Sequence, residues 1–282
     1  MRTCCGRDAP ISEGRQIGEG GPTQGGAENR QRHAPVRGRA MLFESPLLPG
    51  TLVRRYKRFL ADVRLENGEI VVAHCANSGS MLSVDAPGSA VWLSVSSKPG
   101  RVLPYTWELI RVGDALVGIN TNRPNRLVEE AIVQGGLPEL AGYDLLRREV
   151  RYGRNSRIDL LLGSPTRPPC YVEIKNVTLR RGTDPSVPVA FPDAVTARGT
   201  KHLGELSVVA REGGRAVMLY VAQRPDAERL TFASDIDYVY SKAVNLALES
   251  GVEFLCYRCR VGLDGVWLAD AIPIVAPTTV EL

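Results

Sequence analysis

Two short apolar runs in the middle of the chain carry charges where a buried strand should have none. In "RIDLLLGSPTRPPCYVEIKNVTL", residues 157–179, the runs Ile158–Leu162 and Tyr171–Leu179 flank a Pro-rich turn. Asp159 interrupts the first run, and Glu173 and Lys175 interrupt the second. Runs of this length bounded by Gly and Pro read as strands. Thirteen residues separate Asp159 from Glu173, so a hairpin turning near "GSPTRP" brings the two acids alongside each other. Glu173 and Lys175 are two apart and leave the same face of their strand. Paired carboxylates repel, and burial makes their ionisation worse. A divalent cation removes the conflict, since Mg²⁺ takes one or two carboxylates and completes its shell with water and substrate phosphate. Mg²⁺ or Mn²⁺ is therefore the expected cofactor, with Asp159 and Glu173 as its ligands. Lys175 would hold a phosphate oxygen or orient an attacking water, a set suited to metal-assisted phosphodiester hydrolysis. The competing reading is a half-exposed strand face on which Lys175 merely pairs with Glu173.

The surrounding pattern divides the chain. Residues 1–40 hold eight Gly and almost no large apolar side chains, too little to offset chain entropy, so they are expected to be disordered. Met41 opens a different kind of sequence and is expected to be the true start of translation, the alternative being a basic arm. From 50 to 119, "TLVRRYKRFLADVRL", "EIVVAHCAN", "AVWLSVSS" and "YTWELIRVGDALVGI" read as strands between Gly turns, which suggests a small antiparallel barrel. From 120 the order becomes helix ("NRPNRLVEEAIVQGG"), three strands, helix ("ARGTKHLGELSVVARE") and strand ("AVMLYVAQ"), with a further helix and strand behind. That α-β-β-β-α-β order around a D…ExK spacing resembles the PD-(D/E)xK nuclease core. Such a core usually adds a carboxylate from its first helix. Glu129 and Glu130 are the candidates, and Glu130 is preferred as a catalytic residue. On the later helix Arg198, His202 and Glu205 lie near one face with Lys201 close by, placed to contact phosphate or support the metal.

Charge and cysteine content narrow the partners. The net charge is +4, but the first 40 residues hold seven Arg against four acids, so the remainder is nearly neutral. A nucleic-acid partner must therefore be argued from local clusters. "RREVRYGRNSR" holds five Arg against one Glu just before the acidic site, and "RRYKR" sets Arg54, Arg55, Lys57 and Arg58 around Tyr56. Cations with an aromatic on a barrel face suit single-stranded or nonspecific nucleic-acid binding; a strand edge guarded by charge reads equally well. The six cysteines are scattered, which fits a reduced, cytoplasmic protein rather than a disulfide framework. Cys256 and Cys259 spell CxxC, but on a strand they point to opposite faces, so ordinary strand positions are expected rather than a zinc site. No run approaches a membrane span, and no secretory signal is evident.

Taken together and in order, "NSGSM", "NTNRPNRLVEEAI", "SRIDLLL", "YVEIKNVTL" and "FPDAVTARGTKHLGEL" resemble the SfsA family, the sugar fermentation stimulation proteins, over about residues 41–265. The resemblance implies a mixed α/β chain: an OB-like β-barrel over 41–119, then a restriction-endonuclease-like αβββαβ domain over 120–282. It also implies a DNA-binding role, and carries the metal-site reading onto Asp159, Glu173, Lys175 and Glu130. Ser78 of "NSGSM" replaces the commoner Thr and keeps the hydroxyl. Two functions follow. One is a metal-dependent nuclease on single-stranded or nonspecific duplex DNA, with Arg54, Arg55, Tyr56, Lys57, Arg58, Arg198, Lys201 and His202 contacting the nucleic acid. The other is a non-catalytic DNA-binding regulator linked to sugar metabolism. A sugar-binding or sugar-modifying enzyme has little support, because aromatics are only 6% of the chain. A homodimer is left open.

Overall fold

The computed structural model describes residues 41–277 apart from 154, 183 and 185. The expectations of disorder before Met41 and of a start at Met41 lie outside the described residues, as does Arg154. Strand β1 (Met41–Leu42) leads into β2 (Leu48–Tyr56), β3 (Leu60–Leu65), β4 (Ile70–Cys75), β5 (Ala90–Val95) and β6 (Tyr105–Val112). Strand β2 pairs with β3 and β5, β3 with β4, and β5 with β6, while a parallel β4–β6 pairing closes a five-stranded barrel. Strand β7 (Ala115–Gly118) pairs back onto β6. Alternate positions fill the interior, among them Leu52, Val63, Ala73, Val91, Leu93 and Trp107, as a closed sheet with one inner face requires.

The run "TLVRRYKRFLADVRL" is two strands, not one. Tyr56 faces Leu60 across a turn in which Lys57 and Arg58 take φ of 47° and 66°. Left-handed turns usually advertise themselves with Gly or Asn, and neither stands here. Arg54, Arg55 and Tyr56 therefore lie on β2, while Lys57 and Arg58 project from the turn. Arg55 turns inward. Its guanidinium donates to the carbonyls of Arg58 (3.0 Å), Asn77 (3.1 Å), Gly79 (2.8 Å) and Ser80 (3.0 Å), pinning the 77–80 loop.

The second part is one mixed sheet. Helix α1 (Arg123–Val133) carries Pro124 in its first turn and stops before Gly135, whose φ is 70°, as the start and stop signals require. After it come β8 (Leu145–Tyr152), β9 (Ser156–Ser164), β10 (Arg167–Val177), β11 (Val189–Phe191), α2 (Ala197–Arg211), β12 (Arg215–Ala222), β13 (Leu230–Phe232), α3 (Tyr238–Glu249), β14 (Glu253–Val261) and β15 (Gly265–Ala271). The seven-stranded order is β1-β15-β14-β12-β10-β9-β8. Strands β10, β12 and β14 run parallel, and the flanking strands run antiparallel. Val217, Leu219 and Val221 of β12 join α1's Leu127, Val128 and Ala131 in one core. Ala216, Met218, Tyr220 and Ala222 join Leu203 and Leu206 of α2 and Tyr240 and Val244 of α3 in the other. Both faces are covered, which is why β12 reads as unbroken apolar sequence. The expected α-β-β-β-α-β order is present, with the short β11 inside what reads as a loop. Strands β1, β11 and β13 are too short to carry a readable period, and the seven residues of β15 do not alternate cleanly between buried and exposed.

Cys256 and Cys259 are buried in different cores, and burial pushes both thiols well above their usual range. Among the described residues, no helix is long and apolar enough to cross a membrane. Barrel and sheet belong to one compact unit and are stitched directly: Gly118 N donates to Gln223 O (2.8 Å), and Met81 N to the Asp193 carboxylate (2.9 Å). Removing Arg55 would free four carbonyls at this joint. Arg55→Ala is expected to cost about 2–3 kcal/mol in urea denaturation. Arg54→Ala, which breaks an exposed pair with Asp62 and a solvent-facing stack on Tyr56, should shift the transition far less.

Candidate active site

The site grows out of the register between β9 and β10. Leu161 faces Tyr171 and Leu160 faces Val172, so the next position along sets Asp159 against Glu173. The backbone ladder gives way there, and the Asp159 side chain takes over. Its Oδ2 accepts Ile174 N–H (2.7 Å), and its Oδ1 accepts Asn125 Nδ2 from α1 (2.9 Å). Glu173, 2% exposed, receives Lys175 Nζ on Oε1 at 2.6 Å, the same-face pairing that a spacing of two dictates. His202 Nδ1 from α2 makes a short contact with the same oxygen. Glu173 Oε2 is buried with no hydrogen-bond partner.

The two acids diverge electrostatically. Burial, reinforced by the Glu173 charge, pushes Asp159 up to about 6, against the pull of Ile174 N–H, Lys175 and Asn125. Burial also works to raise Glu173, but the hydrogen bond from His202 and the charges of Lys175 and His202 outweigh it and hold that carboxyl below its usual range. Tyr152 stands behind them, its ring 5.7 Å from that of Tyr171 and its hydroxyl buried without a partner. Burial, with the charges of Glu173, Glu205 and Asp159, drives Tyr152 far above the usual phenol range.

The other candidate residues divide. Glu130 is bound by Arg126 at 2.7 Å, and Glu129 by Arg148 at 2.7 Å. Both line a hollow of ≈ 610 Å³ that reaches Asp159. Among the described residues, however, no three His, Cys, Asp or Glu side chains converge on a common metal position. The α1 side chain that touches Asp159 is Asn125, one turn before Glu129, and sequence reasoning passed over it because an amide carries no charge to attract notice. His202, expected to contact phosphate or to support the metal, is buried away from any nucleic-acid surface and holds Glu173. Its docking follows from the α2 face that packs on the sheet, which spacing along α2 alone does not specify. Arg55, expected on the same surface, is committed to the 77–80 loop. Arg58, Arg198 and Lys201 are exposed. Lys201 lies 3.7 Å from Glu205, and Arg54 stacks over Tyr56 at 4.8 Å.

The cluster opens into a cleft of ≈ 640 Å³ between barrel and sheet. Arg58, Asn77, Ser78 and Gly79 form the barrel side, and Asp159, Glu173, Lys175, Asp193, Thr196 and Arg198 the sheet side. Two carboxylates, one with a buried free oxygen, match the small number of protein oxygens that Mg²⁺ or Mn²⁺ takes when water and phosphate complete its shell.

An OB-type barrel joined to a mixed sheet of α-β-β-β-α-β order, with an acid–acid–lysine cluster facing the junction, defines a two-domain α/β class. Residues 53–119 match the family model described as the SfsA N-terminal OB domain, and residues 122–265 match that of the sugar fermentation stimulation protein RE domain. The chain belongs to the SfsA family. It is 54% identical over 245 residues to a sugar fermentation stimulation protein homolog of Rhodospirillum rubrum, covering 84% of this chain and 100% of that one. It is 55% identical over 236 residues to a homolog of Rhodospirillum centenum, with 84% and 100% covered. The solved structure of Pyrococcus furiosus SfsA in complex with Ca²⁺ matches with a TM-score of 0.75 at 27% identity, covering 84% of this chain and 99% of that one.

The Asp159 shift has a signed consequence for stability. Its folded value of about 6 lies above the ordinary 3.8, so between those values the native state keeps a proton that the unfolded chain has released. Stability is therefore lost as pH rises through that window and stays lower above it. Asp159→Asn removes the penalty: it should stabilise the protein by on the order of 3 kcal/mol at pH 8 and by almost nothing at about pH 3, read by urea denaturation at both.

Proposed function

We propose that this SfsA-family chain binds DNA through its phosphates without reading sequence, and that Asp159 and Glu173 hold a divalent cation for phosphodiester hydrolysis. The observation that carries the reading is the buried, unpartnered Oε2 of Glu173 beside Asp159, with Lys175 fixed at the other Glu173 oxygen. A lone-pair-bearing carboxylate oxygen shut away from both water and protein donors is costly unless a cation serves it. The Ca²⁺ bound by the Pyrococcus furiosus relative supports the reading, since Ca²⁺ and Mg²⁺ are both hard cations that take oxygen ligands. Such a cation, held by Asp159 and Glu173, would polarise the phosphoryl group and lower the pKa of its bound water.

The protein's own contribution follows from the contacts. Asn125 and Ile174 N–H aim the Asp159 carboxylate, and His202 fixes the Glu173 rotamer from behind. Lys175 Nζ, held at the cleft wall, can shift from Glu173 to a phosphate oxygen or an attacking water without leaving its strand. Arg58 and Arg198 put positive charge on opposite walls of the cleft, so a backbone of phosphates is attracted while no base edge is read. Among the described residues, α1, α2 and α3 all pack against the sheet, and none is presented as a recognition helix.

A second reading is a DNA-binding regulator linked to sugar metabolism whose cluster is inert. It is favoured by one observation: Lys175 and His202 already occupy Glu173 Oε1. The two readings part in a cleavage assay with the full chain, labelled DNA, and Mg²⁺, Mn²⁺ or EDTA. The catalytic reading expects metal-dependent cutting that EDTA abolishes and that falls about 10²-fold or more in Asp159→Ala and in Lys175→Ala, with DNA affinity kept within about threefold. Binding without cutting, equal in all three proteins, would leave the regulator. Because ligand carboxylates must be ionised and Asp159 sits at about 6, Mn²⁺ affinity measured calorimetrically should weaken roughly tenfold from pH 7.5 to pH 5.

A further inference from the structure

We infer that the cleft takes an unpaired DNA strand and excludes intact duplex, with Arg58 of the barrel turn and Arg198 of α2 gripping the phosphates on either wall. This rests on the DNA reading above and narrows its substrate.

Three observations carry the inference. The first is the capacity of the site. A cleft of ≈ 640 Å³ is of the size that holds a drug-sized ligand, about one or two nucleotides, which is room for one strand and not for a paired partner beside it. The second is that the walls are fixed. Met81 N donates to Asp193 Oδ2 at 2.9 Å, and Ser80 Oγ donates to Asp193 O in a short contact. The barrel loop and the loop after β11 are thus clasped across one end of the cleft. Gly79 lies so close that a Cβ there would stand 2.6 Å from the Asp193 carboxylate. Arg55 holds the same loop from below through its carbonyls. A wall anchored at so many points does not swing aside to admit a duplex. The third is the distribution of charge. Arg58, carried outward by its left-handed turn, makes no ion pair among the described residues, and Arg198 is exposed with only a 3.4 Å contact to the His202 ring. Arg58 lines this cleft from the barrel and Arg198 from α2, together with the acid–acid–lysine cluster, and an unpaired strand threading the cleft would offer a phosphate to each. Fixed cations along a narrow groove are how single strands are tracked without sequence preference.

The test measures binding in EDTA and cleavage in Mn²⁺ separately, using the full chain with a labelled single strand, a duplex carrying a single-stranded overhang, and a relaxed covalently closed duplex. The single strand and the overhang are expected to bind at least tenfold more tightly than the closed circle. Arg58→Gln and Arg198→Gln should each reduce the slope of log affinity against log salt for the single strand by about 0.7. Equal affinity for the closed circle, or salt slopes unmoved in both variants, would overturn the inference. If the single strand is preferred but nothing is cut in Mn²⁺, the strand path stands and the catalytic reading falls. If all three DNAs are cut alike, catalysis stands and the strand path falls. No binding to any DNA overturns both.

Discussion

Two carboxylates forced together on the buried face of a sheet are the constraint around which this chain is organised. Asp159 and Glu173 cannot both ionise in a dry site without help. The help comes from four directions: a strand neighbour two residues on (Lys175), the helix on one face (His202 of α2), the helix on the other (Asn125 of α1), and a backbone N–H released from the β9–β10 ladder (Ile174). The arrangement depends on α1 and α2 docking on the two faces of the sheet through their apolar sides. It also leaves Glu173 Oε2 unserved, along with the Tyr152 hydroxyl behind it. Structural ion-pair networks satisfy their members as fully as they can, so an orphan at the centre of an otherwise well-partnered cluster points to a ligand.

The barrel is the other half of the site. Its 77–81 loop carries no catalytic charge, yet it is held by Arg55 from within the barrel and by Asp193 from the sheet. The junction continues through Gly118 and Gln223, and Gln223 also bonds Asn176 at 2.7 Å, one residue beyond Lys175. The barrel's position and the disposition of β10 are therefore set by one continuous network. "NSGSM" and "FPDAV" are far apart in sequence and meet because the barrel closes onto the sheet at this point.

The strands that matter most were legible because their geometry is arithmetic. A period of two puts Glu173 and Lys175 on one face, and a hairpin of fixed length puts Asp159 beside them. The unbroken apolar run of β12 announces a strand covered on both faces, and Pro124 and Gly135 bracket α1. What escaped the sequence depends on packing at a distance. Whether His202 faces solvent or Glu173 is decided by how α2 docks. Whether Arg55 reaches DNA or the loop beneath it is decided by a left-handed turn at Lys57 and Arg58 that lacks the residues such turns usually employ. Asn125 contributes through hydrogen-bond geometry alone. Three-residue strands such as β11 and β13 exist only because they find each other across the fold.

The central claim, that Asp159 and Glu173 form a cation site, is tested most directly by anomalous diffraction from crystals of the full chain soaked in Mn²⁺. The account predicts a manganese peak bonded to a carboxylate oxygen of Asp159 and to Oε2 of Glu173. A map without that peak, in which Lys175 and His202 still share Glu173 Oε1, would contradict it and make the cluster a structural ion-pair network.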